Sequence, residues 1–201
     1  METFILVTLV AVAAYALKSR EQRRRIALLG SYLGKYQIEK LMESLTEGYL
    51  RALGEDDPER REQIWQLLGA SETVLCEQFD RFAAEFSRVD EAQTRVSKLG
   101  LAIPYGDRLF PAATFDMRRA LQIHAQGITQ VAQNRLNRPP KSRAYTLSAE
   151  LFLMQHTCHW FCRSKAVASA RMLARHKTTY AQLVESVSPE TREAYLTLIG
   201  R

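Results

Sequence analysis

The densest set of ligand-type side chains in the chain is His156, Cys158, His159 and Cys162, within the run HTCHWFC. Imidazole and thiolate are the donors favoured by zinc and Cu(I), and helical bundles hold metals or haem with pairs of such residues on facing helices. On a helix, Cys158 and Cys162 stand at i and i+4 on one face, with His156 and His159 at i and i+3 on the adjacent face. A further candidate, His124, lies on the apolar stripe of the preceding helical segment. It approaches this run if the two helices pack antiparallel across Pro139-Pro140. The chemistry in view is metal binding or redox, with Zn, Cu or haem as the cofactor.

The same residues have a simpler reading. Leu147, Leu151, Met154, Cys158 and Phe161 form a stripe that faces a core without help from a metal, and free cysteine packs as a small hydrophobe. The chain has no C-x-x-C pair and no C-x-x-C-H haem attachment motif. Core packing is therefore the first expectation and the metal site the alternative, so no cofactor is expected. Catalytic motifs are also missing: G-x-S-x-G, the Walker-type G-x-x-x-x-G-K-[ST], H-E-x-x-H and G-x-G-x-x-G do not occur. Asp107 falls in a loop, and Asp116 opens a helix, where a carboxylate suits the helix dipole. No enzyme activity is expected.

The elements that must position these residues read as helices throughout. Helical periodicity runs from the N-terminal segment through Ile26, Leu29 and Leu33, then Ile38 to Leu53, with Gly30 and Gly34 as weak points and Gly54 as a stop. Asp57-Pro58-Glu59 supplies an N-cap, a proline at the first helical position and an early carboxylate. The helix so started carries Ile64, Trp65, Leu67 and Leu68 to Gly69. Ser71 caps a second start, whose stripe is Leu75, Phe79, Phe82, Phe86 and Val89. Residues 100–111, with two prolines and a glycine, read as a loop. Another helix carries Met117, Leu121, His124, Ile128 and Val131, residues 137–145 form a turn, and a long helix runs from Thr146 as N-cap to His176. Ser188-Pro189-Glu190 starts a terminal helix. The expected fold is all-α with no sheet: a single transmembrane helix followed by a bundle of five to seven helices, divided into an anchor at 1–17, a basic segment and first cytoplasmic helix at 18–56, and the α-helical bundle at 57–201.

The anchor rests on Met1 to Leu17, in which Glu2 is the sole charged residue. Seventeen helical residues span about 25 Å, slightly less than the roughly 30 Å of a hydrocarbon core, a deficit that snorkelling or thinning absorbs. A mean hydropathy of −0.24 excludes several such spans. Basic residues follow at once, namely Lys18, Arg20, Arg23, Arg24 and Arg25. The positive-inside rule then puts the body in the cytoplasm and the N-terminus outside, at an inner or plasma membrane. A cleaved signal with an Ala14-Tyr15-Ala16 site competes with this reading, but the n-region is acidic and the basic block resists translocation. A buried helix competes too, although no polar face exists between Phe4 and Leu17.

The net charge of +6 hides two opposed blocks. Residues 39–91 carry 14 acidic and 6 basic side chains, and residues 135–177 carry 9 basic ones against Glu150 alone. Such blocks usually pair or are solvated, and otherwise form a surface for anions. The expected partners are the lipid bilayer and a protein, for a scaffold, adaptor or regulator at the membrane. A metal, haem or redox bundle is the first alternative. A membrane-tethered nucleic-acid binder is the second and weaker one, because few aromatics (Tyr145, Trp160, Phe161, Tyr180) interleave with the basic residues.

Overall fold

A computed structural model describes residues 1–200. Helix α1 runs over Glu2–Leu33, α2 over Ile38–Gly54 and α3 over Pro58–Phe86. A short helix α4 (Glu91–Thr94) leads into strand β1 (Arg95–Ser97). Helix α5 (Gly106–Leu109) and a 3-10 turn (Pro111–Ala113) precede strand β2 (Thr114–Asp116). Helices α6 (Met117–Ala132), α7 (Pro140–Cys162), α8 (Lys165–His176), α9 (Tyr180–Ser186) and α10 (Pro189–Ile199) complete the described residues.

The body is a helical bundle, as the periodicity implies, with two corrections to the expected fold. First, β1 and β2 form a two-stranded antiparallel sheet that pairs Arg95 with Asp116, Val96 with Phe115 and Ser97 with Thr114. Strands this short are invisible to period-2 reasoning. They exist because Val96 and Phe115 are buried, Phe115 meets Trp160 edge to face at 5.0 Å, and the Trp160 indole N–H donates to the Ser97 carbonyl at 2.9 Å. Second, among the described residues nine helices follow α1 rather than five to seven, because the loop and the long C-terminal helix subdivide.

Several boundaries follow their local chemistry. Asp57 caps α3 by accepting from the Glu59 and Arg60 amides, and Asp116 caps α6 by accepting from Arg118 N. Gly34, not Gly30, ends α1. Gly69 does not interrupt α3. Trp65, Leu68, Glu72 and Leu75 share a buried face across it, and that packing exceeds the roughly 1 kcal/mol that glycine costs inside a helix. Thr146 is no N-cap: α7 already starts at Pro140, and the Thr146 hydroxyl donates back to the Ser142 carbonyl. The long helix breaks at Arg163, where Ser164 accepts from Val167 N and starts α8, which folds back along α7 and buries Ala168 and Met172. Helix α9 has a capping box, Thr179 with Gln182, that the periodicity did not reveal.

One buried apolar cluster runs from Leu29 to Ile199, so α2 shares the core of the rest of the body. Its centre is the aromatic ladder of Phe79, Phe82 and Phe86, each 0% exposed, joined edge to face by Tyr32 and Phe161. Residues 1–17 lie outside it, every one exposed, and the first half-buried position is Lys18.

Candidate functional site

The His/Cys run lies at the C-terminal end of α7, and its members face different neighbours. His156 Nε2 is 3.1 Å from the Ser169 hydroxyl on α8, and its ring packs on Tyr180 at 4.6 Å. Cys158 is buried against Met154, with sulfur atoms 3.8 Å apart. Burial pushes both its thiol and that of Cys162 up, the latter to about 11, so neither is a ready thiolate at neutral pH. Burial lowers His159 as well. His124 does approach the run, as antiparallel packing of α6 on α7 implies, yet it meets Thr157, with Nε2 at 2.9 Å from Oγ1. Thr157 spends its own proton on the Leu153 carbonyl at 2.9 Å, so the imidazole is the donor in this pair. Burial drives the pKa of both His124 and His156 down to about 3, which keeps them neutral. Among the described residues no group of three or more His, Cys, Asp or Glu side chains is placed to hold a metal ion.

The base of the projecting helix is a better organised site. Glu21 accepts from the backbone amide of Tyr105 at 2.8 Å, and Tyr105 holds a left-handed φ of 52° that a non-glycine residue rarely adopts. Arg25 pairs with Glu21 at 2.8 Å and Asp107 at 3.3 Å, lies over the Phe161 ring and reaches the Phe161 carbonyl. Arg163 donates to Gln22 at 2.6 Å. Residues 100–111 are thus no free loop, because their middle is riveted to α1 one to two turns beyond the apolar segment. Arg25, read from sequence with Lys18, Arg20, Arg23 and Arg24 as a lipid-facing cation, is instead spent inside the fold with its side chain 14% exposed. Arg20, Arg23 and Arg24 remain exposed.

A groove of about 1040 Å³ opens at the far end of the body, between α2, the start of α7, and α8 and α9. Tyr49, Leu50, Leu53, Tyr145 and Phe152 line it, with Leu50 and Tyr145 well exposed. His176 stacks on Phe152 at 3.9 Å and closes one side. Beneath it, the Tyr49 hydroxyl donates to Glu72 at 2.7 Å, and Arg143 reaches the same carboxylate at 3.5 Å. Arg175 similarly meets Glu43 at 3.7 Å. Members of the two opposed charge blocks therefore pair across helices. Trp160 and Phe161, counted as aromatics for base stacking, are buried at 3% and 1% exposure and offer no stacking face.

Comparison with protein-family models, curated protein sequences and solved structures returned no match. Sequence reasoning missed Glu21, Tyr105, Asp107 and Arg108 as a unit. The signal available was Glu21, an acid set among five basic residues, which marks a helix face with a partner of its own.

Proposed function

We propose that the protein is a single-pass membrane protein whose helical body works at the cytoplasmic face by binding another protein, as a scaffold, adaptor or regulator. The observation that carries the reading is the abrupt change along α1. Residues 4–17 carry no charge and are all exposed, including Phe4, Leu6, Val7, Leu9 and Val10, while Glu21, Arg25 and Leu29 of the same helix are fastened to the body. A bare apolar rod on a rigid stem needs an apolar solvent, and the segment meets the length and composition expected of a membrane span. The basic residues that follow favour the N-out, C-in orientation. A partner is supported by the apolar groove, the largest of the cavities at the end of the body away from α1.

Two sets of measurements test this. The protein should resist alkaline extraction, keep Met1 to Leu17 by intact mass, and report a cytoplasmic location from a C-terminal fusion. A mass lacking the N-terminal segment would show a cleaved signal and end the anchor reading. Photo-crosslinkers at Leu50 and Tyr145 should then trap one protein species in membranes where a crosslinker at Leu67, exposed elsewhere on α3, does not. Equal, unspecific trapping at all three positions would remove the adaptor role and leave the anchor standing.

A further inference from the structure

The geometry points to a second membrane contact: the segment from Leu99 to Phe110, together with the arginines of α1, forms a face by which the body lies on an anionic leaflet. This rests on the anchor reading above and adds the orientation of the body. Four large apolar side chains of the segment are exposed, Leu101 at 73%, Leu109 at 63%, Phe110 at 48% and Ile103 at 43%. A short loop with that many bare hydrophobes on a soluble surface calls for a covering partner. Its height relative to the bilayer decides which one. Leu101 and Ile103 share the wall of one crevice with Lys18 and Glu21. Tyr105 is bonded to Glu21, which lies about 6 Å along the helix from Leu17, the last residue of the apolar run. The polar interface of each leaflet is roughly 5–8 Å deep, so the segment stands at headgroup level. The anchor is itself about 5 Å shorter than a hydrocarbon core, which draws Lys18 and the attached segment further in.

Charge agrees with this placement. Arg20, Arg24 and Arg108 line one cavity of about 320 Å³ beside the segment. The two carboxylates in its wall, Glu21 and Asp107, both pair with Arg25, and Glu21 also accepts from the Tyr105 amide, so the four guanidinium groups of the wall outnumber its carboxylates by two. Arg20, Arg24 and Arg108 thus line a space large enough for a lipid phosphate, beside the segment that carries the exposed apolar side chains. Exposed apolar residues flanked by cations at the mouth of a span are the composition of an interfacial membrane contact. A protein partner would not need the patch to coincide with the end of the span.

The test uses the full chain in nanodiscs of phosphatidylcholine with and without phosphatidylglycerol. Single nitroxides are placed at Leu101→Cys, Leu109→Cys, Val10→Cys in the span and Leu67→Cys on the distal body, with Cys76 and Cys162 replaced by alanine and folding checked by circular dichroism. Accessibility to oxygen and to a water-soluble nickel chelate reads immersion. The labels at 101 and 109 should be oxygen-accessible and shielded from nickel in anionic discs. Replacing Arg20, Arg24 and Arg108 by glutamine should lower their immersed-to-aqueous ratio there on the order of 10²-fold, at about one basic residue's contribution each. If Val10→Cys is immersed while 101 and 109 are as open to nickel as 67, the anchor stands and this proposal falls, leaving the face to a protein. If Val10→Cys is itself open to nickel, the anchor reading fails and the proposal with it.

Discussion

At the scale of single residues, burial shifts His156 and Glu150 toward their neutral forms, which makes stability sensitive to pH in two opposing senses. His156, lowered to about 3 by burial, with Lys165 adding repulsion, is neutral when folded and protonates near 6.5 when unfolded. Its contribution is complete above pH 6.5 and is lost as pH falls toward 3. His156→Gln keeps a hydrogen-bond partner for Ser169 but does not titrate. Denaturant titrations between pH 6.5 and 4.5 should show the variant with a shallower acid loss, by up to about 1.4 kcal/mol per pH unit. Parallel slopes would mean that the ring is solvated. Glu150 runs the other way. It is 0% exposed, with one oxygen accepting from both the Ser188 amide and hydroxyl, and burial raises its pKa. The stability it contributes is full below its unfolded value and fades as pH rises through the folded one. Glu150→Gln preserves the acceptor without the charge, so the variant should lose less stability than the parent as pH rises. Glu150→Ala should lose about 2 kcal/mol or more by stranding the Ser188 donors. A large loss for glutamine at pH 7 would show that the carboxylate is charged in the fold.

Elements meet where the sequence permits close approach or supplies a cap. Gly127 of α6 faces α7 and α10, and a methyl group there would sit 2.6 Å from Glu150 Oε2 and collide with the Thr191 hydroxyl. Gly127→Ala, stabilising on helix propensity alone, should instead lower stability by about 1–3 kcal/mol in thermal or denaturant unfolding. An increase would show that α10 can step aside. Asp116 joins three elements. It caps α6, accepts from the Thr94 hydroxyl at 2.9 Å and holds Arg118, which also donates to the Val89 carbonyl. Its replacement by alanine should cost at least about 2 kcal/mol, more than a cap alone. The capping role of Asp116 was legible from its place before an apolar stripe. The partners across Thr94 and Val89 were not, because nothing local marks a contact made more than twenty residues away.

For the whole molecule, the division along α1 makes a clear prediction. Residues 2–17 are all exposed, whereas Glu21, Gln22 and Arg25 are bonded to the body and Leu29 is buried in it. A chain beginning at Lys18 should become extractable from the membrane by alkali and keep the denaturant midpoint of the body in detergent within experimental error. A large drop would mean that the apolar segment packs on the body. Of the bundle, the helix starts at Asp57, Asp116 and Ser188 and the core stripes through Phe79 and Leu121 could be read directly. The candidate sites could be read only in part: the basic residues were evident, but that Arg25 turns inward to Asp107 was not.

The sequence alone determined that the chain is helical, where its apolar segment stops and where charge accumulates, since periodicity, caps and hydropathy act within a few neighbouring residues. Only the tertiary structure decided that the His/Cys run is split among Ser169, Met154 and Thr157, that three-residue strands close against Trp160, and that residues 100–111 are fastened to α1. Those outcomes depend on which surfaces meet across long separations in the chain. Burial and hydrogen bonding at such meetings follow from the packing of the whole bundle, not from any local pattern.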